Sequence, residues 1–448
     1  MRTEKSPIRI RLILSILLLC FVVVANTSAQ RYKPIVFKGA TLITGWDTKP
    51  IPDGYVVVGG PSVLFAGAEY DVVIPPLATI IDCKGKYIIP GMIDAYAKIR
   101  TVDDLRRMFA LGVTTVNVLT AETDSLQELV RFSKGDSAAI PELLLTVPWY
   151  LKQQSHEEGD SSWNGMPGTP EEARRRIQRL ARMGVSRISL IADIPNWCDG
   201  SFRTLSPLDS VVLSAMINEA RKHNITLFLE SPDRNEIRMA LNTGMRGIVY
   251  GIINERIGSA DVDQIQMLSA NFFPLLSLLD LTADPKGFLT RILTDSYFQK
   301  AVPEVVFRRY TDSAYVAQYL EPCPDTNYFA SQSQLVYDNC AAIIKSYTPI
   351  PLGTNMPDFP GIAAHLEIED LVKAGVTPMQ AIVSASGISA ECLGLRKTHG
   401  FVYSKYKADF LVLDNDPVAD IRNTRSVSMV VKRGIIYYPQ DILQPIKK

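Results

Sequence analysis

Hydrophobic and polar positions change rhythm twice along the chain. From residue 35 to 89 the apolar positions come in short runs, "YVVVGG" and "SVLFAG", broken by Gly and Pro, and "IPDGY" has turn chemistry. Residues 400–438 return to that texture in "GFVYSKYKADFLVLDNDP" and "VSMVVKRGIIYY". Two β-rich ends around a different middle predict one small domain built from both ends of the chain. In the middle, apolar runs of strand length alternate with helical periodicity. The runs are Ile88–Ala97, Val113–Thr120, Leu143–Trp149, Arg187–Asp193, Thr226–Ser231, Gly247–Ile253, Phe272–Leu279 and Ile350–Asn355.

The helices carry their own punctuation. In "TPEEARRRIQRLARMG", Thr169 is placed to cap, Pro170 to open the first turn and Glu172 to complete a capping box. Ala173, Ile177 and Leu180 recur on one face, and Gly184 ends the helix. "TPMQAIVSA" repeats the device with Thr377, Pro378 and Gln380. Eight strands with intervening helices predict an α/β fold, a (β/α)8 TIM barrel with a small β-sandwich. The expected divisions are residues 30–89 for the first part of the sandwich, 90–396 for the barrel with a helical insertion at about 284–347, and 397–448 for the second part. A doubly wound open sheet is the alternative, but no Gly-rich phosphate loop follows the first strand.

The N-terminus stands apart. Arg2, Lys5, Arg9 and Arg11 precede an apolar run from Leu12 to Ala25, and "TSAQ" supplies small residues for cleavage after Ala29. Residues 1–29 read as a signal peptide, with an uncleaved anchor helix as the alternative. The expected location is periplasmic or secreted, with no stable membrane span after cleavage. Removing the segment leaves 43 Lys and Arg against 46 Asp and Glu. A chain so nearly neutral offers no basic field for nucleic acid. Of the remaining cysteines, Cys323 and Cys340 are near enough in sequence to pair, and buried free thiols are the other reading.

Several stretches, in order, resemble the amidohydrolase superfamily, in its imidazolonepropionase-like and exported peptidase-like branch. They are "GATLITG", "DGYVVV", "IIDCKGKYIIPGMID", "LGVTTV", "LVKAGVTPMQAI", "CLGL" and "KADFLVLDNDPVADI". The resemblance implies a barrel that holds zinc or another divalent metal at its mouth, with a small sandwich from both chain ends. It also implies ligand positions. The H-x-H pair of the first strand falls on Tyr96 and Lys98, and the bridging ligand of the fourth strand on Ser189. The histidines of the fifth and sixth strands fall on Glu230 and Tyr250, and the Asp of the eighth strand on Asn355. Every one of these has changed.

Histidine cannot rescue the site, since the chain has only His156, His223, His365 and His399, none within strands one, five or six. No metal or other cofactor is therefore expected, and no residue is assigned as catalytic. Glu230, Asp193, Asp280 and Asp358 could in principle hold a harder ion through oxygen, or be solvated carboxylates and helix caps. Tyr96 and Lys98 stand two apart on a strand and are expected on one face, the lumen. A salt bridge between Lys98 and Glu230 is expected to replace the metal's charge, because a buried charge needs a partner. Lys98 as a Schiff-base amine is the covalent alternative. His365 occupies a position where the resemblance implies a His near the mouth, in reach of a ligand, and a solvent-facing His at a helix start is the other reading.

Three functions remain: an inactive homologue binding a ligand or partner, a hydrolase of C–N bonds with an unusual or absent metal site, and a structural protein. The partner expected is a small molecule at the barrel mouth, a second copy of the chain, or an active amidohydrolase.

Overall fold

The computed structural model describes residues 32–46, 49–120, 130–134, 139–151, 165–192, 208–302, 306, 308, 312 and 326–443. Residues 1–29, with the expected signal peptide, lie outside them. No helix among the described residues is long and apolar enough to cross a membrane.

The β-rich ends meet in one mixed sheet. The N-terminal end contributes β1 (Ile35–Leu42), β2 (Ile51–Gly59), β3 (Ser62–Gly67), β4 (Thr79–Asp82) and β5 (Tyr87–Pro90). A parallel sheet follows, formed by β6 (Met92–Ala97), β7 (Val113–Leu119), β8 (Glu142–Tyr150), β9 (Arg187–Ile191), β10 (Thr226–Glu230), β11 (Gly247–Val249) and β12 (Asn271–Phe273). These seven strands pair in sequence order into a curled sheet. The C-terminal end adds β13 (Phe410–Leu413), β14 (Val427–Lys432) and β15 (Ile435–Tyr437) to the mixed sheet, in the order β15-β14-β13-β5-β1-β2-β3, with β4 branching from β1.

The run Ile88–Ala97, expected as one strand, is two. Pro90 ends β5 in the mixed sheet, and Met92 begins β6 in the parallel one. Gly91 joins them, and a Cβ there would fall 2.2 Å from Thr114 Oγ1. Only glycine lets the backbone pass that close.

Helices cover the parallel sheet: α1 (Val102–Ala110), α2 (Pro170–Arg182), α3 (Ser210–Lys222), α4 (Arg234–Asn242) and α5 (Ser259–Met267). The buried face of α2 is Ala173, Ile177 and Leu180, as its spacing predicts. Thr169 Oγ1 accepts from Glu172 N at 3.2 Å, but Glu172 reaches back to Gly168 N rather than to Thr169.

Two expected strands take other forms. The second half of Phe272–Leu279 is a helix, α6 (Leu276–Ala283). Its first turn is capped from far away: Glu367 accepts from Leu276 N at 2.9 Å, Ser277 N at 2.7 Å and Ser277 Oγ at 2.7 Å. Helices α7 (Pro285–Leu293), α8 (Ser296–Gln299) and α9 (Thr326–Lys345) follow, then α10 (Ile362–Lys373) and α11 (Pro378–Val383). Thr377 and Gln380 form the expected capping box on α11.

The stretch Ile350–Asn355 is not a strand. Leu352 N is diverted to Ser389 Oγ at 2.9 Å, so it is lost to any ladder. Even so, Ala95 N donates to Leu352 O at 2.8 Å on the β6 side, and Phe272 N to Pro349 O at 3.1 Å on the β12 side.

Candidate functional site

Five of the positions singled out in the sequence converge inside the parallel sheet. Tyr96, Ser189 and Glu230 have no exposed surface, and Tyr250 and Asn355 are almost as deeply buried. Tyr96 Oη donates to Glu230 Oε2 at 2.6 Å. Its one proton is thereby used, so Ser189 donates to Tyr96 Oη, 2.5 Å away. Asn355 Nδ2 donates to Tyr250 Oη at 3.2 Å. Glu230 Oε1 and Asn355 Oδ1 are buried with no hydrogen-bond partner.

Both phenols stay protonated. Burial pushes Tyr96 and Tyr250 well above the ordinary tyrosine range, and the neighbouring Glu230 charge pushes the same way. Tyr250 and Asn355 also hold left-handed backbone, φ +87° and +50°. For the tyrosine this is an unfavourable conformation that the surrounding packing must enforce.

Sequence reasoning missed the layer beneath. The rings of Tyr96, Phe228 and Phe273 stand at 5.8 to 5.9 Å from one another, filling the inside of the sheet. Gly353 packs on them, since a Cβ there would meet Phe273 at 2.7 Å and Tyr96 at 3.0 Å. Asp94, the acid of "PGMID", is also fully buried; it accepts from Thr354 Oγ1 at 2.7 Å and Tyr96 N at 3.3 Å. Burial pushes its pKa up to about 6. An Asp within an apolar strand was the one available signal for it.

Lys98 does not join this group. No hydrogen bond or ion pair links it to Glu230, which is engaged instead by the phenols of Tyr96 and Tyr250. The cause is local. Asp94 pairs with Val116 and Ala97 with Val118, so β6 uses three residues where β7 uses two. This bulge breaks the alternation that would put Tyr96 and Lys98 on one face. Asn117 Nδ2 takes up the Ala95 carbonyl at 2.9 Å within the bulge. Lys98 itself follows the end of β6 and is half-buried.

His365 is not at the mouth either. It lies fully buried on α10, where Nε2 donates to Leu111 O at 2.8 Å and Nδ1 lies 3.0 Å from Thr424 Oγ1. Burial lowers its pKa to about 3, so the ring is a neutral packing element. His223 caps α3 and lies 3.4 Å from Glu219, and His399 sits with Glu142 and Lys407. His156 lies outside the described residues.

The carboxylates considered for a harder ion do not assemble. Asp280 is on α6 against Arg291, Lys373 and Tyr337, and Asp358 pairs with Arg100. Asp193 lies outside the described residues. Among the described residues no group of three His, Cys, Asp or Glu could hold a metal ion. The donors present in the lumen, two neutral phenols, a hydroxyl, an amide and one engaged carboxylate, do not fit a divalent metal. Cys83, Cys340 and Cys392 are buried free thiols, and Cys323 lies outside the described residues.

No family model matches the chain. A 79-residue stretch is 29% identical to an adenine deaminase of Rubrobacter xylanophilus, spanning 18% of this chain and 13% of that protein. Solved structures match far more of it. A candidate prolidase from Bifidobacterium longum superposes with a TM-score of 0.72 at 21% identity, covering 92% of this chain and 97% of that one. Molinate hydrolase gives 0.71 at 15% identity over 93% and 97%. A Xaa-Pro dipeptidase with bound methionine gives 0.68 at 16% identity over 91% and 100%. These neighbours are amidohydrolase-family proteins, and the chain has their fold.

Proposed function

We propose that this chain is an exported, metal-free and catalytically inactive homologue of the amidohydrolases, acting as a ligand-binding or partner protein. In fold terms the proposal is a (β/α)8 barrel closed by residues 350–355, beside a β-sandwich. The hydrogen bonds of Leu352 and Pro349 to the two edge strands support closure. The branching of β1, which pairs with β4 along its first half and β5 at its end, supports a sheet folded onto itself.

One observation carries the functional reading. The only carboxylate at the implied ligand positions, Glu230, is engaged by a protonated phenol. The test is the metal content of the mature protein after incubation with zinc or manganese and removal of free ion. A value well below one ion per chain is expected. A stoichiometric ion, lost in Glu230→Gln, overturns the reading. Co-purification of a second chain selects the partner role, and a monodisperse single chain selects ligand binding.

A second reading is a C–N hydrolase with an unusual or absent metal site. It draws on the two open acceptors, Glu230 Oε1 and Asn355 Oδ1, which could each accept a hydrogen bond from a polar guest. Turnover of a dipeptide or amide, abolished by Glu230→Gln, would select it.

A further inference from the structure

A cavity of about 440 Å³ opens at the end of the parallel sheet opposite the Tyr96–Glu230 network, where β12 begins at Asn271 and residues 347–350 enter the fold. Its volume lies in the range of small-molecule sites. Ile344, Ile350, Val376, Val383 and Ile388 supply apolar walls. Asn271, Gln380 and Ser384 supply polar groups within them. Among the described residues the Asn271 carboxamide, the Gln380 amide nitrogen and the Ser384 hydroxyl have no hydrogen-bond partner, so all three are available to a guest.

The wall is built in an unusual way. After α11 the chain forms one turn of π-helix, Ser384–Ile388. Turns of this kind concentrate at functional sites. Here the Ser384 carbonyl accepts from Ser389 Oγ at 2.8 Å, and that hydroxyl in turn accepts from Leu352 N. At the rim, Tyr347 holds left-handed backbone, φ +59°, and the residue is 88% exposed.

The charge of the lining narrows the ligand. No Lys, Arg or His lines the cavity, and its one acid, Glu391, already pairs with Arg396 at 2.6 Å. A carboxylate or phosphate would find no cation there. Two side-chain amides and a hydroxyl match a group that both donates and accepts. We propose that this cavity is a binding site for a small uncharged molecule carrying an amide-type donor–acceptor pair on an apolar body. The proposal does not depend on the absence of a metal at the other end of the sheet.

The test is calorimetric titration of the full mature chain with N-acetyl-leucinamide, against N-acetyl-leucinate as the charged comparison, with hydrogen exchange to locate the site. Saturable one-to-one binding of the amide is expected, with protection at residues 344–350 and 380–391. The carboxylate should bind at least about tenfold more weakly. Val383→Trp, which fills the cavity, should abolish binding, and Ser384→Ala should weaken it about three- to tenfold. Should Val383→Trp fail to fold, Ser384→Ala and the exchange map decide. The proposal fails if the amide does not bind, if the carboxylate binds equally, or if protection falls at Glu230 and Tyr250 instead.

Discussion

Tyr96 and Glu230 meet across the inside of the parallel sheet, a phenol on β6 donating at 2.6 Å to a carboxylate on β10. Each is fully buried, and each depends on the other. Tyr96→Phe would remove the short hydrogen bond to the buried Glu230 carboxylate, leaving Tyr250 as the phenol beside it. The expected cost is about 1–3 kcal/mol, above that of an ordinary hydrogen bond because the group that loses a donor is a buried carboxylate. Denaturant unfolding measures it. Adding Glu230→Gln should recover part of the loss, giving a coupling energy of about 1–3 kcal/mol in a double-mutant cycle. Strict additivity would show that the bond contributes nothing.

His365 predicts a pH dependence with a definite sign. Its folded pKa is about 3, below the ordinary 6.5. As pH falls below about 6.5 the unfolded state gains a proton that the folded state does not accept. Its contribution to stability is therefore complete above about pH 6.5 and declines as the pH drops toward 3. Between pH 6 and 5 the loss should be about 1 kcal/mol. His365→Gln, whose amide can still donate to Leu111 O, should remove that slope relative to the wild type. Parallel stability curves for the two proteins would refute the assignment.

Gly91 is the point where the chain passes between sheets. Gly91→Ala places a methyl against both Thr114 Oγ1 at 2.2 Å and Thr114 Cγ2 at 2.4 Å. Overpacking of this kind should cost about 1–3 kcal/mol in thermal or denaturant unfolding. Thr114→Ala removes those two atoms and should restore part of the stability in the double variant. No recovery would mean that the strain lies in the backbone.

Local patterns were mostly readable, although the capping box expected at Thr169 and Glu172 closed on only one side. The capping box of Thr377 and Gln380 and the apolar stripe of α2 depend on residues within one or two turns. Convergence of Tyr96, Ser189, Glu230, Tyr250 and Asn355 was legible through the resemblance to the amidohydrolases, whose ligand positions fall on these residues. Longer-range effects escaped. The strand expected through Leu279 turns helical because Glu367, distant in sequence, caps it. The strand expected at Ile350–Asn355 loses an amide to Ser389. A bulge, invisible in an apolar run, separates Lys98 from Glu230. The aromatic packing of Phe228 and Phe273 looks, in sequence, like any other pair of core residues.

The pairing of β13 with β5 has a consequence for how the molecule is made. Phe410 pairs with Pro90, and Leu413 with Tyr87, so one edge of β5 waits for nearly the whole chain. During vectorial synthesis that edge stays bare while the parallel sheet assembles. Bare edges recruit wrong neighbours, and late, distant pairings slow folding. A strand made near the end of synthesis, β13, thus seals one made early, β5, and a product truncated before β13 would carry an open, adhesive edge.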